Sequence, residues 1–341
     1  MTSARALNRA ITTYQRWLAI KGKAQDDAAR RLSAMLNRYY ADLARILATE
    51  ANGHGPAIIA QKQIDGIIRS MTEEGNRVLA QNAELQKAVG KQAFSIEGGA
   101  SMETYAVFGR ASAEAIQQAQ QQFAPAARAM IAGGPESGFA TWTSTVTEQV
   151  AGGIQSMREA MIFSKVHGLN SKGLAERMLQ DPRFNFDNLP PVTDKGMAIF
   201  TRGGKLGEAD ALKNRAHMIA RTETNAVQNR MHIGWTQAAG FELYINVNPM
   251  DDRTSIGCAE ATLEKAKTEA EWNAWTGSDG QSGVPPRLPN CRSSLMAVPS
   301  DAASETGKPP DAKVEFTTGP QGGKHVHITE PDVQDKGLNN R

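Results

Sequence analysis

Cysteine is nearly absent: two residues, Cys258 and Cys291, in a chain of 341. Two thiols in a chain this long do not make the disulfide framework that staples small secreted domains. Also missing is any run of about 18 apolar residues, the length a helix needs to cross a bilayer. The opening stretch MTSARALNRAITTYQRWLAIKG carries charge throughout and has no apolar core. No export signal is therefore expected, and synthesis is placed in a reducing cytoplasm. Nor is there an excess of one charge. The 38 basic and 36 acidic residues leave a net +2, whereas a protein that wraps nucleic acid shows a basic excess or stripe. No internal repeat of fixed period is present.

What is present is helical patterning. The 40% of apolar residues is enough for a core, and the length has room for two domains. Leu7, Ile11, Tyr14 and Leu18 recur at helical spacing. The acidic pair Asp26 and Asp27 suits a helix N-terminus and predicts a second helix, with a stripe from Leu32 through Tyr39 to Leu47, ended by Asn52–Pro56. A third stripe runs from Ile58 to Leu85 and ends near Gly90. Ser95–Ser101, SIEGGAS, reads as a break. A fourth helix then carries Tyr105, Phe108, Ala113 and Ile116, and Pro125 with the GGPESG stretch bounds a short fifth. The clearest stripe is Phe139, Trp142, Val146, Val150, Ile154, Met157 and Met161, closed at Gly168.

Asn170–Leu179 reads as a short capped helix, followed by a Pro- and Asp-rich loop. Glu208 to Ala239 reads as a long helix, with Leu212, Ala216, Ile219, Val227, Met231 and Trp235 on its buried side and Gly240 at its end. FELYINVNP alternates as a strand does and leads into Asp251–Thr254. After Pro299 the composition turns to Gly, Pro, Asp, Ser and Thr, so an extended tail is expected. Within it KVEFTT and HVHIT suit short strands, which would put His325 and His327 on one face.

The residues that could carry chemistry gather between 221 and 292. A closed zinc site draws four ligands from Cys and His in close-spaced pairs. Here the cysteines stand 33 positions apart, with no Cys or His within four residues of either, so two small apolar thiols is the favoured reading. Pro-rich GVPPRLPNCRSS is stiff enough to run back and bring Cys291 near Cys258. IARTETN places Arg221 and Glu223 in the long helix, and a strand-end Asp251–Asp252–Arg253 is placed to meet them. Pairs such as Arg221–Asp252 and Glu223–Arg253 would pin helix to strand. The rival is a divalent-metal site of Glu223, Asp251 and Asp252, since strand-end aspartates hold Mg²⁺. No Gly-rich phosphate loop, His–Glu helix motif or Ser–His–Asp order accompanies it. The structural clasp is therefore preferred.

Taken in order, A..IARTETN, then Trp235 and Gly240, a strand, DDRTS..C and PP..PNCRS resemble the phage Mu F-like head morphogenesis family, minor head proteins of tailed bacteriophages. The matching positions are Ala216, Ile219–Thr224, Trp235, Gly240, Asp252, Arg253, Thr254, Cys258, Pro285, Pro286, Pro289, Asn290, Cys291 and Arg292. The likeness spans about residues 165 to 300. Many family members carry a His two residues before the Asn-Cys pair and a further Cys two residues after it. Leu288 and Ser293 stand there in this chain, which counts further against zinc.

The expectation is a mainly α protein. Long amphipathic helices over 1–168 form an assembly domain, an α+β head-morphogenesis module covers 169–299, and an extended tail covers 300–341. The resemblance implies a non-enzymatic virion component without cofactor. It would be made in the host cytoplasm and sit at the portal vertex, against portal or coat protein and away from any membrane. It would act in head assembly, and further in DNA packaging or ejection. Its clasp would be Arg221, Glu223, Asp252, Arg253, Thr254, Asn290 and Arg292, beside the thiol pair. Two other readings stand: a metal-dependent nuclease or hydrolase using Glu223, Asp251 and Asp252, and an internal head protein contacting DNA through Arg30, Arg31, Arg38 and Arg45.

Overall fold

In a computed structural model the described residues are 4–52, 61–132, 137–167, 208–251, 254–287, 291–309, 312–318 and 324–329. The expected short helix at 170–179, the helix stop at Gly168 and the Pro-rich loop lie outside them. The chain is mainly α. Five long helices come first: α1 (Ala4–Asn52), α2 (Gln61–Ala106), α3 (Arg110–Met130), α4 (Ala140–Val166) and α5 (Glu208–Ala238). Then follow β1 (Leu243–Val247), α6 (Ile256–Leu263), α7 (Glu269–Ala274), β2 (Ser294–Val298), a 3₁₀ turn at Ser300–Ala302, β3 (Lys313–Thr318) and β4 (Lys324–Thr329). No helix among the described residues is long and apolar enough to cross a membrane.

Two compact units result. Unit one gathers residues 1–24, 91–129 and 224–341, and unit two gathers 25–90 and 130–223.

Three of the expected helix breaks are overturned. Asp26 and Asp27 do not start a helix, because α1 runs through them. Their charges are used sideways: Asp27 pairs with Arg31 at 2.7 Å, one turn on, and Asp26 pairs with Arg221. SIEGGAS does not break α2. Glu97 is fully buried there, and Gly99 lets the Trp17 ring close in, since a Cβ would stand 2.8 Å from the ring edge. Gly99 therefore marks close packing, which outweighs its helix cost of about 1 kcal/mol. Pro125 bounds nothing and sits inside α3. The real break is Gly109, whose φ of +119° a side chain would rarely adopt. Tyr105 and Phe108 consequently precede α3 rather than belong to it.

Unit one is built on the β1–β2 ribbon, antiparallel with Tyr244 opposite Ala297 and Asn246 opposite Leu295. One face carries Ile245, Val247, Met296 and Val298, covered by Leu7, Ala10, Ile11, Tyr14 and Leu18 of α1. The other carries Tyr244, Leu295 and Ala297 against Tyr105, Ile116, Ile233 and Trp272. A ribbon buried on both faces reads as a continuous apolar run. SLMAV accordingly gave no alternation to mark β2 in the sequence.

Unit two packs the α4 stripe as its spacing predicts: Phe139, Trp142, Val146, Val150, Met157 and Met161 are buried. Its polar edges are satisfied, with Trp142 Nε1 donating to Asn82 Oδ1 at 2.8 Å and the Tyr39 hydroxyl to the Val150 carbonyl at 2.9 Å.

Both short strands expected in the tail form, as β3 and β4, and they pair antiparallel with each other, Val314 opposite Ile328 and Phe316 opposite Val326.

Candidate functional site

The returning Pro-rich segment does meet the strand end. Beyond β1 the chain turns at Asn248, whose Oδ1 accepts from the Met250 amide at 3.1 Å and from the Thr254 hydroxyl at 3.0 Å. Thr254 in turn accepts from the Asp251 amide at 3.1 Å. The Asp251 carboxylate, held by this turn, takes both terminal nitrogens of Arg292. That fork is the planar, bidentate geometry in which guanidinium and carboxylate match best. Asn248 Nδ2 donates to Ser293 Oγ at 2.7 Å, tying the same turn to the residue after Arg292. Asn248, Met250, Asp251 and Thr254 are thus laced to Arg292 and Ser293 just outside the ribbon.

Some expected clasp residues take other places. Arg221 bonds Asp26 within unit two, a long-range pair that helix spacing did not announce. Glu223 belongs to that unit as well. Asp252, Arg253 and Asn290 lie outside the described residues. Thr254 and Arg292 hold the clasp, with Asp251 as the acid. The metal trio of Glu223, Asp251 and Asp252 has one carboxylate taken by Arg292 and one residue undescribed. Among the described residues no three of His, Cys, Asp and Glu converge as a metal site would need.

The thiols do come together. Ser255 caps α6, which sets Cys258 in its first turn. Cys291 is delivered by the returning segment, and the sulfurs stand 3.8 Å apart as free thiols. Both are buried, 4% and 6% exposed. Gln281 Oε1 lies 3.7 Å from the Cys258 sulfur. Contact with Cys291 and burial push the Cys258 thiol up. Contact with Cys258 draws Cys291 down to about 5 against its burial, helped by the Arg287 and Ser293 amides and the Arg287 guanidinium. The two thiols therefore titrate as a pair, ionisation of one holding the proton on the other.

Arg287 is fixed by its own contacts. Nε donates to the Gly283 carbonyl at 2.7 Å, and Nη1 to Asn246 Oδ1 at 2.9 Å. The guanidinium lies over Trp272 and Trp275 at 5.4 and 5.0 Å, within cation–π range. Its remaining nitrogen, Nη2, is buried with no hydrogen-bond acceptor among the described residues.

A second constellation escaped the sequence reading. Lys21, Glu97 and His232, from three separate helices, are all buried in unit one. Lys21 Nζ is 2.5 Å from Glu97 Oε2, and His232 Nδ1 is 2.7 Å from Glu97 Oε1. Burial lowers the His232 pKa, and Glu97 only partly offsets that, so the ring is neutral at neutral pH. As a neutral ring it donates from Nδ1 to Glu97 and accepts at Nε2 from the Tyr105 hydroxyl, 2.9 Å away. Tyr105 then accepts from the Ala297 amide at 2.9 Å. Lys21 also donates to Tyr14 at 3.0 Å, and Tyr14 reaches Ser294 Oγ at 3.0 Å.

From there Ser294 donates to Asn229, Asn229 to Asn225, and Asn225 to the Cys291 carbonyl at 2.7 Å. A signal was available in the sequence: Lys21 continues the Leu7–Leu18 stripe one turn on, and Asn225, Asn229, His232 and Thr236 form a polar stripe at helical spacing. Polar residues at stripe positions are buried and bonded to one another.

Comparison with known proteins returns no match: no family model, no curated protein and no solved structure aligns with the chain.

Proposed function

We propose that this chain is a minor structural protein of a tailed-phage head. It would sit at the portal vertex against portal or coat protein, acting in head assembly and further in DNA packaging or ejection. The reading rests on the resemblance of residues 165–300 to the Mu F-like head morphogenesis pattern. The observation that carries it is what the pattern's residues do here. Thr254, Cys258, Cys291 and Arg292 turn inward and bond to segments of their own module, which is the behaviour of groups that maintain a shape. The role needs no catalysed reaction and no cofactor, and it places the protein in the virion after synthesis in the host cytoplasm.

The test is to purify virions of the phage that encodes the chain, identify their proteins by mass spectrometry and cross-link them. The chain is expected in a few copies per particle, with cross-links to portal or coat protein. Abundance in infected cells with absence from full virions and proheads would overturn the proposal.

A further inference from the structure

Beyond any role in a head, the structure assigns a redox reaction to its cysteines: we propose that Cys258 and Cys291 form an oxidisable dithiol that hydrogen peroxide closes into an intramolecular disulfide, with Cys291 reacting first. Three observations carry this. The sulfurs already touch at 3.8 Å, so bonding needs an approach of about 1.8 Å. The pair is nearly closed to solvent, which disfavours a second protein thiol. And the buried Arg287 guanidinium, held by Gly283 and Asn246, reaches the Cys258 side chain and its charge acts on both sulfurs, so an anion at the pair meets a fixed cation.

The Cys291 thiolate attacks one peroxide oxygen, an S–O bond forms, the O–O bond breaks, and the departing hydroxide takes a proton from solvent to leave as water. Cys258 then attacks the sulfur of the resulting sulfenic acid. The S–S bond forms, the S–O bond breaks, and the Cys258 proton leaves with that hydroxide as a second water. Each sulfur loses one electron overall and the two peroxide oxygens gain them. A dithiol reductant reverses the product. The closed bond would join α6 to the residue three positions before β2, holding the 291–293 segment against α6.

The chain has only these two cysteines, so thiol counting on the full-length protein is unambiguous. Under stoichiometric peroxide the expected result is a monomer 2 Da lighter, with free thiols falling from two to none. Its map should contain one peptide joining 258 to 291, its melting temperature should rise by several degrees, and dithiothreitol should restore the starting state. In Cys258→Ser a dimedone adduct should accumulate on Cys291. In Arg287→Gln, with the wild-type circular dichroism spectrum as the folding control, disulfide formation should slow about tenfold. Retention of both thiols, a gain of 32 Da on one cysteine, or covalent dimers in place of the internal bond would each overturn the proposal.

Discussion

The ammonium of Lys21 lies 2.5 Å from the carboxylate of Glu97, with both side chains withdrawn from solvent, 2% and 0% exposed. Burial alone would raise the Glu97 carboxyl, yet Lys21 and His232 together hold it below its ordinary value. Burial also lowers Lys21, which Glu97 only partly restores. Each charge is tolerable because of the other. Replacing Lys21 with Met should therefore strand the carboxylate and cost about 3–5 kcal/mol. The double variant Lys21→Met, Glu97→Gln should lose less than the two single changes summed. Urea unfolding monitored by circular dichroism reads both, and strict additivity would refute the coupling.

His232 and Glu97 make unit one sensitive to acid. Both groups have folded pKa values below their unfolded ones, so the unfolded chain binds more protons as the pH drops. The contribution of His232 is complete above about pH 6.5, its unfolded value, and declines as the pH falls through that value towards the folded one. Glu97 adds a second decline below about pH 4.5. Thermal unfolding followed from pH 8 to pH 4 should show stability dropping first below neutrality. In His232→Gln the upper part of that slope should disappear.

Tyr105 carries two bonds that no other group replaces: it donates to His232 and accepts from the Ala297 amide. Tyr105→Phe keeps the ring and removes both. Two buried polar groups are left without partners, so a loss of about 2–4 kcal/mol is expected, well above that of an average hydrogen bond. Equilibrium denaturation measures it, and a loss under 1 kcal/mol would mean that water enters to replace the hydroxyl.

Arg292 grips Asp251 with two nitrogens at once. Arg292→Lys preserves the charge but cannot form the fork, and about 1–2 kcal/mol should go with it. The loss should appear locally, as faster hydrogen exchange in residues 248–254, with α4 unchanged.

Two glycines test whether helix approach or helix propensity rules. A Cβ at Gly234 would stand 2.5 Å from the Phe123 ring, whereas one at Gly152 would meet nothing within 4 Å. Gly234→Ala should destabilise by about 1–3 kcal/mol through overpacking. Gly152→Ala should stabilise by about 0.5–1 kcal/mol, because the unfolded chain loses freedom and no contact is strained. Melting temperatures moving in the same direction would contradict this assignment.

Sequence reading succeeded where one periodicity had one explanation. The α4 stripe, the long helix ending at Gly240 and the strand after it follow directly from residue spacing. It failed where tertiary packing outbid local preference. Gly99 punctuates a helix only if nothing packs on it, and Trp17 does. Asp26 and Asp27 favour a helix start only if no cation lies beside them in mid-helix, and Arg221 and Arg31 do. Of the site, the approach of Cys291 to Cys258 was legible from the stiff proline segment. The Lys21–Glu97–His232 cluster was not, because its members lie on separate helices: spacing marks Lys21 and His232 as stripe positions, but nothing in it pairs them with each other or with Glu97.

The hydroxyl of Tyr14 reaches the carbonyl of Leu295, 281 positions later in the chain. This has a consequence for biosynthesis. Leu7, Ile11 and Tyr14 leave the ribosome 280 or so positions ahead of β2, the strand that helps to cover them. A nascent chain must carry that apolar stripe uncovered until β2 emerges, as a substrate for holding chaperones. A message truncated anywhere before Ser294 would yield no partly working fragment, only a polypeptide with an open flank for proteases. Synthesis as far as β2 is thus checked by α1.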